Sequence, residues 1–433
     1  MIRRLVPAFA ALTALAGCAY PETPPALPSA TAQAGVTSAA IEMQRAPVTI
    51  LISIDGFHPD YLKRGLTPNL SRLAAGGVTG PMRSSFPSKT FPNHWTIVTG
   101  VRPDRHGIAA NMMEDPSRPG EVFTMASDDP FWWNAVPPIW VTAEEAGIPT
   151  ASMFWPGSNV AWGGARATAW PNDITGGTRP YDWQAFSQQL PGDNRVRQVI
   201  DWMRRPAASR PRFVTTYFDV VDTEGHRNGP NSPGVNTALA EVDRQIGALV
   251  EGLAELGQPA NLIIVSDHGM SQTSSERVVA LDRIVPATDA RVVESGPYAT
   301  FAPLPGRDAA VAAALLKPHA HMECWRKEAI PARFHYGQNV RVPAFLCLAE
   351  DGWELQKTAP TMTYTRGNHG FDPYAPSMQA LFIANGPAFA PGKKVGAFDN
   401  VAVAPLLRTL LGLPADPTLD STDAVFRPVL RRR

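Results

Sequence analysis

Short apolar runs rich in β-branched residues recur along this 433-residue chain, and stretches with helical spacing lie between them. The apolar runs are Val48–Ile54 and residues 150–155, 212–218, 262–266 and 379–384. Helical spacing is found at residues 67–75, 196–203 and 235–256. Strands that are apolar throughout are buried on both faces, which is typical of parallel sheets covered by helices. We therefore predict an α/β fold with a largely parallel central sheet and helices on both faces.

The alternation of strands and helices also predicts the domain organisation. Residues 18–45 are rich in proline, alanine, threonine and serine and lack a hydrophobic period, which indicates a flexible tether. The remainder, residues 46–433, is predicted to be one folded domain. Residues 280–360 break the strand and helix rhythm, so we expect a smaller insertion or cap there.

The N-terminus has the features of an export signal. Two arginines precede a short apolar run, residues 5–15, which is too short to span a bilayer as a mature helix. The ending Leu15-Ala-Gly-Cys18 resembles a bacterial lipobox, so residues 1–17 are predicted to be a lipoprotein-type signal peptide and Cys18 to be lipidated. An ordinary secretory signal is the alternative. We expect a periplasmic or cell-envelope protein, and alanine after the cysteine favours the outer membrane of a Gram-negative bacterium.

Export makes the two remaining cysteines informative. Cys324 and Cys347 can form a disulfide in an oxidising compartment. Neither lies in a recognisable nucleophile motif, so a structural disulfide is favoured over a catalytic thiol.

The charge balance excludes one class of partner. The chain has 39 basic and 39 acidic residues, so its formal net charge is zero. A protein that holds nucleic acid as a polyanion usually carries a basic excess. We therefore predict no stable nucleic-acid partner and contact with a membrane through the lipid anchor only. A small anionic substrate stays open, because a local site can be charged when the whole chain is not.

Acidic residues follow three of the predicted strands. Asp55 follows the first run, Asp222 lies just past the run at residues 212–218, and Asp267 follows the run at residues 262–266. The carboxyl ends of parallel strands meet at one edge of a sheet, so these carboxylates are expected to converge. Each could instead be an ordinary turn or cap residue. The prediction rests on their joint placement.

Three histidines accompany these carboxylates. His268 directly follows Asp267, His226 lies four residues after Asp222, and His369 lies in a polar loop that contains glycine. Asp222 and His226 share one face if their segment is helical, but nearby glycine and proline are equally compatible with a loop. Carboxylate and imidazole together suit zinc better than magnesium. The sequence therefore predicts a zinc site.

Thr90 lies between two prolines, Pro87 and Pro92, ahead of an apolar run. Pro92 suits the first turn of a helix over residues 91–98, which would place Thr90 at a helix N-terminus. Free backbone N–H groups there favour an anion such as phosphate. Zinc would favour the ionised hydroxyl, which makes Thr90 a candidate nucleophile. A plain helix N-cap is the simpler alternative.

These residues resemble the nucleotide pyrophosphatase/phosphodiesterase family of the alkaline phosphatase superfamily, which implies an alkaline-phosphatase-like fold. The matching motifs run in order from about residue 48 to 390. They are Ile54-Asp-Gly-Phe57, Pro87-Ser-Lys-Thr-Phe-Pro-Asn-His94, Arg102-Pro-Asp-Arg-His-Gly-Ile-Ala-Ala-Asn111, Phe154-Trp-Pro-Gly-Ser158, Asp222-Thr-Glu-Gly-His-Arg-Asn-Gly-Pro230, Ser266-Asp-His-Gly-Met270 and Gly367-Asn-His-Gly-Phe371. Several motifs in the right order are far more specific than any one of them.

The resemblance implies a hydrolase with two Zn²⁺ ions that releases nucleoside monophosphates from phosphodiester or pyrophosphate bonds. The ligands it implies are, for one ion, Asp222, His226 and His369, and, for the other, Asp55, Asp267, His268 and Thr90. Thr90 would attack phosphorus and become covalently phosphorylated. Water activated at the first zinc would then hydrolyse this intermediate.

The resemblance also implies contacts with the substrate. Asn111 matches an asparagine that donates to a non-bridging phosphate oxygen. Phe91 and Tyr217 match aromatic residues that hold the nucleobase, and Phe186 takes a third such position by a looser alignment. Packing in the core is the alternative for these rings. His94 lies in a matching motif at a position that the family uses structurally, so it is not predicted to be a ligand.

Other functions are compatible with parts of the pattern. They are a phosphodiesterase acting on lysophospholipid or choline phosphodiesters, a phosphomonoesterase, and an exported zinc lipoprotein without turnover. A monoester carries an extra negative charge, whereas the residues around Thr90 are mainly aromatic and amide, so a diester is favoured. A structural zinc site has four protein ligands and no open position, so seven ligands including a hydroxyl fit catalysis better.

Overall fold

The apolar run Val48–Ile54 forms a fully buried strand near the middle of the largest sheet. The structure is a computed structural model that describes residues 45–431. The predicted signal peptide, Cys18 and the tether up to residue 44 lie outside the described residues, so their assignments stay predictions.

The strands, within residues 45–431 and in chain order, have the following bounds. They are β1 Val48–Ile54, β2 Val78–Thr79, β3 Met82–Arg83, β4 Met113–Glu114, β5 Val122–Phe123, β6 Thr150–Met153, β7 Ala165–Arg166, β8 Ile174–Thr175, β9 Asp182–Trp183, β10 Phe213–Phe218, β11 Ala260–Val265, β12 Ser271–Ser274, β13 Val278–Ala280, β14 Ala290–Glu294, β15 Tyr298–Pro303, β16 Met322–Arg326, β17 Phe345–Ala349, β18 Glu354–Gln356, β19 Thr365–Asn368, β20 Gln379–Ala380, β21 Phe382–Asn385, β22 Lys393–Lys394 and β23 Phe398–Asp399.

The α-helices of the same part of the chain fall between these strands. They are α1 Pro68–Ala75, α2 Thr90–Thr99, α3 Pro103–His106, α4 Ile139–Glu145, α5 Gly192–Arg204, α6 Val220–Asn228, α7 Pro233–Glu255, α8 Asp308–Leu315 and α9 Val403–Leu411. None of these helices combines the length and the apolar character that crossing a membrane requires.

The central sheet has eight strands in the order β22-β2-β21-β11-β1-β10-β6-β9. β1 pairs in parallel with both β10 and β11, and β10 pairs in parallel with β6. β21, which arises from the run at residues 379–384, instead pairs antiparallel with β11. The largely parallel sheet is therefore confirmed, and this run contributes its antiparallel member.

Helices cover both faces of the central sheet. Successive side chains of β1 point to opposite faces, so β1 contributes to the apolar cluster on each side. Leu51 packs in a cluster with side chains of α2, α4 and α9. Ile50 and Ile52 pack in a second cluster with side chains of α1, α5 and α7. Each buried aliphatic side chain stabilises the fold by roughly 1.5 to 3 kcal/mol, so the two clusters hold β1 in place from both sides. The predicted α/β fold is confirmed.

Residues 280–360 contain a second, antiparallel sheet in the order β14-β15-β17-β16. Its side chains pack with those of α8 in a third apolar cluster. Cys324 on β16 lies opposite Cys347 on β17, and a disulfide joins them. Whether this segment is an insertion or cap stays a prediction.

Candidate metal centre and nucleophile

The neighbouring strands β1 and β11 deliver two buried carboxylates to the same edge of the central sheet. Asp55 directly follows β1, and Asp267 lies two residues beyond the end of β11. Gly56 has a φ of +67°, and a Cβ at this position would lie 3.0 Å from Asp222. Glycine is therefore needed here, both for the backbone conformation and for the close approach of Asp222.

A helix and a loop bring three further residues to these carboxylates. Asp222 and His226 lie one turn apart on α6, so the helical alternative is the one found. Nε2 of His226 lies 3.5 Å from Oδ2 of Asp222. His369 directly follows β19, and its Nε2 lies 3.7 Å from Oδ1 of the same aspartate.

The seven predicted ligands lie at one place in the structure. Ligand atoms of Asp222, His226 and His369 lie within 4.8 Å of one another, and so do those of Asp55, Asp222 and His268. Nε2 of His268 also lies 2.7 Å from Oδ2 of Asp267 and 3.5 Å from Oγ1 of Thr90. Asp222 belongs to both groups and therefore lies between them. Their roles as ligands stay predictions that this geometry fits.

The three histidines have the same orientation relative to the carboxylates. Each donates its Nδ1–H to a backbone carbonyl, which leaves Nε2 with a free lone pair. The acceptors are Gly367 O for His226, at 3.0 Å, Gly269 O for His268, at 2.9 Å, and Ser88 O for His369, at 2.8 Å. Such hydrogen bonds fix the tautomer and the ring orientation that a metal ligand needs.

His94 differs from these three although it is buried nearby. Its Nδ1 donates to Thr90 O at 2.8 Å, and its Nε2 accepts from Oγ of Ser53 at 2.7 Å. Burial lowers the pKa of His94 to about 3, so its ring is neutral. Both nitrogens are already in use, which agrees with the prediction that His94 is not a ligand.

The donor set fits divalent cations. Asp55 Oδ1, Asp222 Oδ1 and Asp267 Oδ2 are buried and make no hydrogen bond with any residue from 45 to 431. The lone pair of His268 Nε2 faces Asp267 Oδ2 at 2.7 Å, a separation that needs either a proton or a cation between the two acceptors. Buried acceptors without partners are costly, and a cation would satisfy them all at once. Imidazole and carboxylate donors are those that zinc prefers.

Burial is the main cause of the pKa shifts of these carboxylates and histidines. Burial, followed by repulsion from Asp267 and Asp222, raises the pKa of Asp55 well above its usual range. Burial and then the charge of Asp222 raise the pKa of Asp267 in the same way. Burial lowers the pKa of His268 and His369. The protein alone therefore favours protonated carboxyls, and bound cations would reverse that preference.

Thr90 lies at the first position of α2 and is 7% exposed. Lys89 occupies the N-cap position and no side chain caps the helix, so Thr90 is not a plain N-cap. Within residues 45–431 the backbone N–H of Thr90 makes no hydrogen bond. Asn111 Oδ1 accepts from Phe91 N–H at 2.9 Å, which leaves Asn111 Nδ2 as a free donor. Two donors are therefore available beside the hydroxyl.

The hydroxyl of Tyr217 contacts a candidate metal ligand. This side chain is 1% exposed, and its hydroxyl donates to Asp55 Oδ2 at 2.5 Å. Burial and the neighbouring Asp55 charge raise its pKa well above the usual range, so the hydroxyl keeps its proton. Phe186 is only partly buried and packs against Phe91 with 5.7 Å between ring centroids. A base-binding role for the rings of Phe91, Tyr217 and Phe186 stays a prediction.

The hydroxyl of Tyr217 is the functional group that the motif comparison missed. The signal in the sequence is a tyrosine near the end of a strand that runs beside the strand leading to Asp55. In the sheet, Tyr217 is in register with Ser53, two residues before Asp55.

Replacing Tyr217 by phenylalanine tests the role of its hydroxyl. Loss of the hydroxyl removes a hydrogen bond from Asp55, so Tyr217→Phe should weaken zinc binding by roughly tenfold in competition with a chromophoric chelator. Affinity for AMP should change by less than about twofold. The exposed Tyr181→Phe serves as control. Unchanged zinc affinity of Tyr217→Phe would show that the hydroxyl does not support the metal centre.

The metal-free protein should lose stability as the pH rises through the raised pKa values of its buried carboxyl groups. The folded-state pKa values of Asp55 and Asp267 are raised, so their stabilising protonated forms are lost as the pH rises through those values. The lowered pKa values of His268 and His369 matter only below about pH 6.5, where stability is lost as the pH falls. Melting temperatures measured from about pH 6.5 upward therefore exclude the contribution of the histidines.

Thermal melts of chelated and zinc-loaded protein measure this effect. The melting temperature of the chelated protein should fall over that range, and zinc should abolish the fall. Asp55→Asn combined with Asp267→Asn should flatten the dependence, whereas the exposed Asp60→Asn should leave it in place. A pH-independent melting temperature of the chelated wild type would contradict the assignment.

The sequence matches one protein family over most of its length. The family is described as type I phosphodiesterase / nucleotide pyrophosphatase, and it matches residues 49–372. Mouse ectonucleotide pyrophosphatase/phosphodiesterase family member 1 is 36% identical over 389 residues, which is 86% of this chain and 41% of the relative. The chain thus spans about two fifths of that protein. Bis(5'-adenosyl)-triphosphatase enpp4 of Xenopus laevis is 34% identical over 88% of this chain and 82% of its own length.

Solved structures show the same fold. Human ectonucleotide pyrophosphatase / phosphodiesterase 5 superimposes with a TM-score of 0.82 at 30% identity, covering 89% of this chain and all of that chain. An inactive threonine-to-alanine variant of the murine protein, in complex with AMP, gives the same score, identity and coverage. The family predicted from the motifs is confirmed: the chain belongs to the type I phosphodiesterase / nucleotide pyrophosphatase family of the alkaline phosphatase superfamily.

Proposed function

We propose that this protein is an exported nucleotide pyrophosphatase/phosphodiesterase that uses two Zn²⁺ ions and forms a covalent intermediate on Thr90. One observation carries the proposal. The hydroxyl of Thr90 lies 3.5 Å from the bare Nε2 of His268, beside buried carboxylate oxygens that have no donor among residues 45–431. A hydroxyl in this setting is suited to nucleophilic attack rather than to packing. Membership of a family of phosphodiesterases supports the proposal.

The residues fall into two ligand sets around Asp222. The sets are Asp222, His226 and His369 for one ion, and Asp55, Asp267, His268 and Thr90 for the other. When bound, zinc acts as a Lewis acid that favours the ionised hydroxyl and stabilises charge on the attacking and leaving oxygens. Tyr217 orients Asp55 through its hydroxyl.

The side chains at the start of α2 carry out the transfer. Oγ1 of Thr90 forms a bond to phosphorus as the bond to the leaving alcohol or phosphate breaks. The free N–H of Thr90 and Nδ2 of Asn111 are donors suited to the non-bridging oxygens, and the helix N-terminus favours their negative charge. Water then attacks phosphorus, the bond to Oγ1 breaks, and the nucleoside monophosphate leaves with the hydroxyl restored.

A nucleotide is the proposed substrate because two relatives are named for nucleotides. The Xenopus laevis relative is a bis(5'-adenosyl)-triphosphatase, and the inactive murine variant was solved with AMP. The aromatic pair of Phe91 and Phe186 supplies apolar rings near Thr90 on which a base can stack. Of these two rings, Phe186 is partly exposed and Phe91 is buried, so we expect Phe186 to contact the base first.

Export is proposed from the N-terminal sequence. Residues 1–17 would be removed as a signal peptide and Cys18 would carry a lipid that holds the protein at the outer membrane. The disulfide between Cys324 and Cys347 supports this proposal, because such bonds persist in oxidising compartments outside the cytosol.

Replacing Thr90 by alanine tests the covalent mechanism. Thr90→Ala removes the attacking oxygen and leaves six other ligands, so we expect both zinc ions to stay bound while turnover falls by at least about 10³-fold. Thr90→Ser should keep part of the activity, and the exposed Thr237→Ala should keep all of it. Metal content and initial rates are the measurements. Unchanged activity of Thr90→Ala would reject the nucleophile.

The substrate class is tested on the wild type with three chromogenic esters. We expect p-nitrophenyl thymidine monophosphate to be hydrolysed faster than p-nitrophenyl phosphate and p-nitrophenylphosphorylcholine. Fastest turnover of the choline ester would indicate the lysophospholipid and choline alternative. Fastest turnover of p-nitrophenyl phosphate would indicate a phosphomonoesterase.

A further inference from the structure

We infer that Glu354 is a positioning residue for the metal centre, which it supports through Asn368 and His369. The inference rests on the proposed function for the role of His369 as a ligand. It gives the segment at residues 280–360 a part in the chemistry, since Glu354 lies on β18 within that segment.

Glu354 is a buried carboxylate held by neutral donors. It is 7% exposed, and its Oε1 accepts from Asn368 Nδ2 at 2.7 Å. Its Oε2 accepts from Gln356 Nε2 at 2.9 Å and from the hydroxyl of Tyr364 at 3.0 Å. No lysine or arginine among residues 45–431 lies within 4.0 Å of its carboxylate, and the buried Lys89 interacts with it electrostatically from a greater distance. Burying a charge is costly, so a glutamate that packing alone required would be better replaced by a neutral residue.

Asn368 transmits this contact to His369. Its Nδ2 donates to Glu354, so its Oδ1 is turned the other way and accepts the backbone N–H of His369 at 2.9 Å. An amide has one donor end and one acceptor end, so the acceptor on one side fixes which end faces the histidine. Glu354 therefore determines the orientation of the amide that holds the backbone of His369.

His369 in turn is tied to the segment that carries the nucleophile. Its Nδ1 donates to Ser88 O at 2.8 Å, and Oγ of Ser88 donates to Phe371 O at 3.1 Å. Ser88 lies two residues before Thr90. The loop after β19 and the start of α2 are thus joined by two hydrogen bonds, and a shift of the loop would move both a ligand and the approach to the nucleophile.

His369 needs such support because of where its strand lies. Asp55 and Asp267 follow strands of the central sheet, and Asp222 lies in a helix that begins two residues after β10. β19 is not part of that sheet: it pairs only with the short strand β12. The end of β19 is therefore not positioned by the core of the main sheet. The hydrogen bond between Asn368 and Glu354 adds to the contacts that hold it in place.

The test is the Glu354→Gln variant, which keeps the size and shape of the side chain. An amide offers one acceptor atom and one donor group, so the donors on one side of residue 354 no longer face a carboxylate oxygen. We expect zinc affinity, measured by chelator competition, to fall by roughly tenfold, and kcat to fall with KM little changed. Glu350→Gln is the matched control: Glu350 is an exposed glutamate of the same segment that contacts His321.

A double-mutant cycle separates this role from general stability. If Glu354 acts through Asn368, then Asn368→Ala should weaken zinc binding similarly, and adding Glu354→Gln should weaken it little further. Independent losses that add in full would show that Glu354 does not act through Asn368 and would overturn the inference. Melting temperatures of the zinc-free proteins show how much of each change is general destabilisation.

The outcomes distinguish this inference from the proposed function. Wild-type protein that binds no zinc would defeat both. Wild-type protein that binds zinc, with Glu354→Gln binding it equally well, would overturn the inference alone, whatever its melting temperature. If Glu354→Gln does not fold, Asn368→Ala decides, because it removes the link and leaves Glu354 with its bonds to Gln356 and Tyr364. Unchanged zinc affinity in that variant would overturn the inference.

Discussion

Two buried carboxylates and a partly buried third crowd one edge of the central sheet, and their burial and mutual repulsion are the constraint on which the site depends. Asp55, Asp222 and Asp267 each have a carboxylate oxygen without a donor among residues 45–431. Left alone, such groups take up protons, as the raised pKa values of Asp55 and Asp267 indicate. Divalent cations would satisfy the same oxygens while keeping them charged. The cost of this arrangement in metal-free protein is thus the counterpart of the metal affinity that we propose.

The fold supplies this concentration of charge in two ways. Parallel pairing of β1 with β10 and β11 places the ends of these strands side by side, and the helices on both faces keep the strands rigid. The proposed ligands that do not follow strands of the central sheet are positioned by other contacts. His226 is fixed by the turn of α6 that it shares with Asp222, and His369 by hydrogen bonds to Ser88 and Asn368. Precise ligand geometry in this protein therefore depends on hydrogen bonds as much as on packing.

The fold was predictable where hydrophobic pattern alone determines structure. Val48–Ile54 is apolar at nearly every position and forms a strand with the predicted bounds. The direction of β21 was not predictable, because strand direction depends on how the chain returns to the sheet and not on the run itself. The candidate ligands followed from their motifs and from the strand ends. Whether Asp222 lay in a helix or a loop was open, since Gly225 allowed both.

The side-chain roles were less predictable because they depend on neighbours that are distant in sequence. The motif match predicts a base-binding ring at Tyr217, and it gave no sign that the hydroxyl of this residue donates a hydrogen bond to Asp55. Glu354 lies outside every motif. It contacts Asn368, 14 residues further along the chain, only in the folded structure. No spacing rule connects these residues. A tertiary structure was needed to show which polar group each one meets.

The most direct measurement is the metal content of purified protein, taken together with its activity before and after chelation. We expect about two zinc ions per chain, loss of nucleotide hydrolysis when a chelator removes them, and recovery when zinc is restored. Metal-free protein with full activity would contradict the assignment of the seven ligands and of Thr90 as the nucleophile.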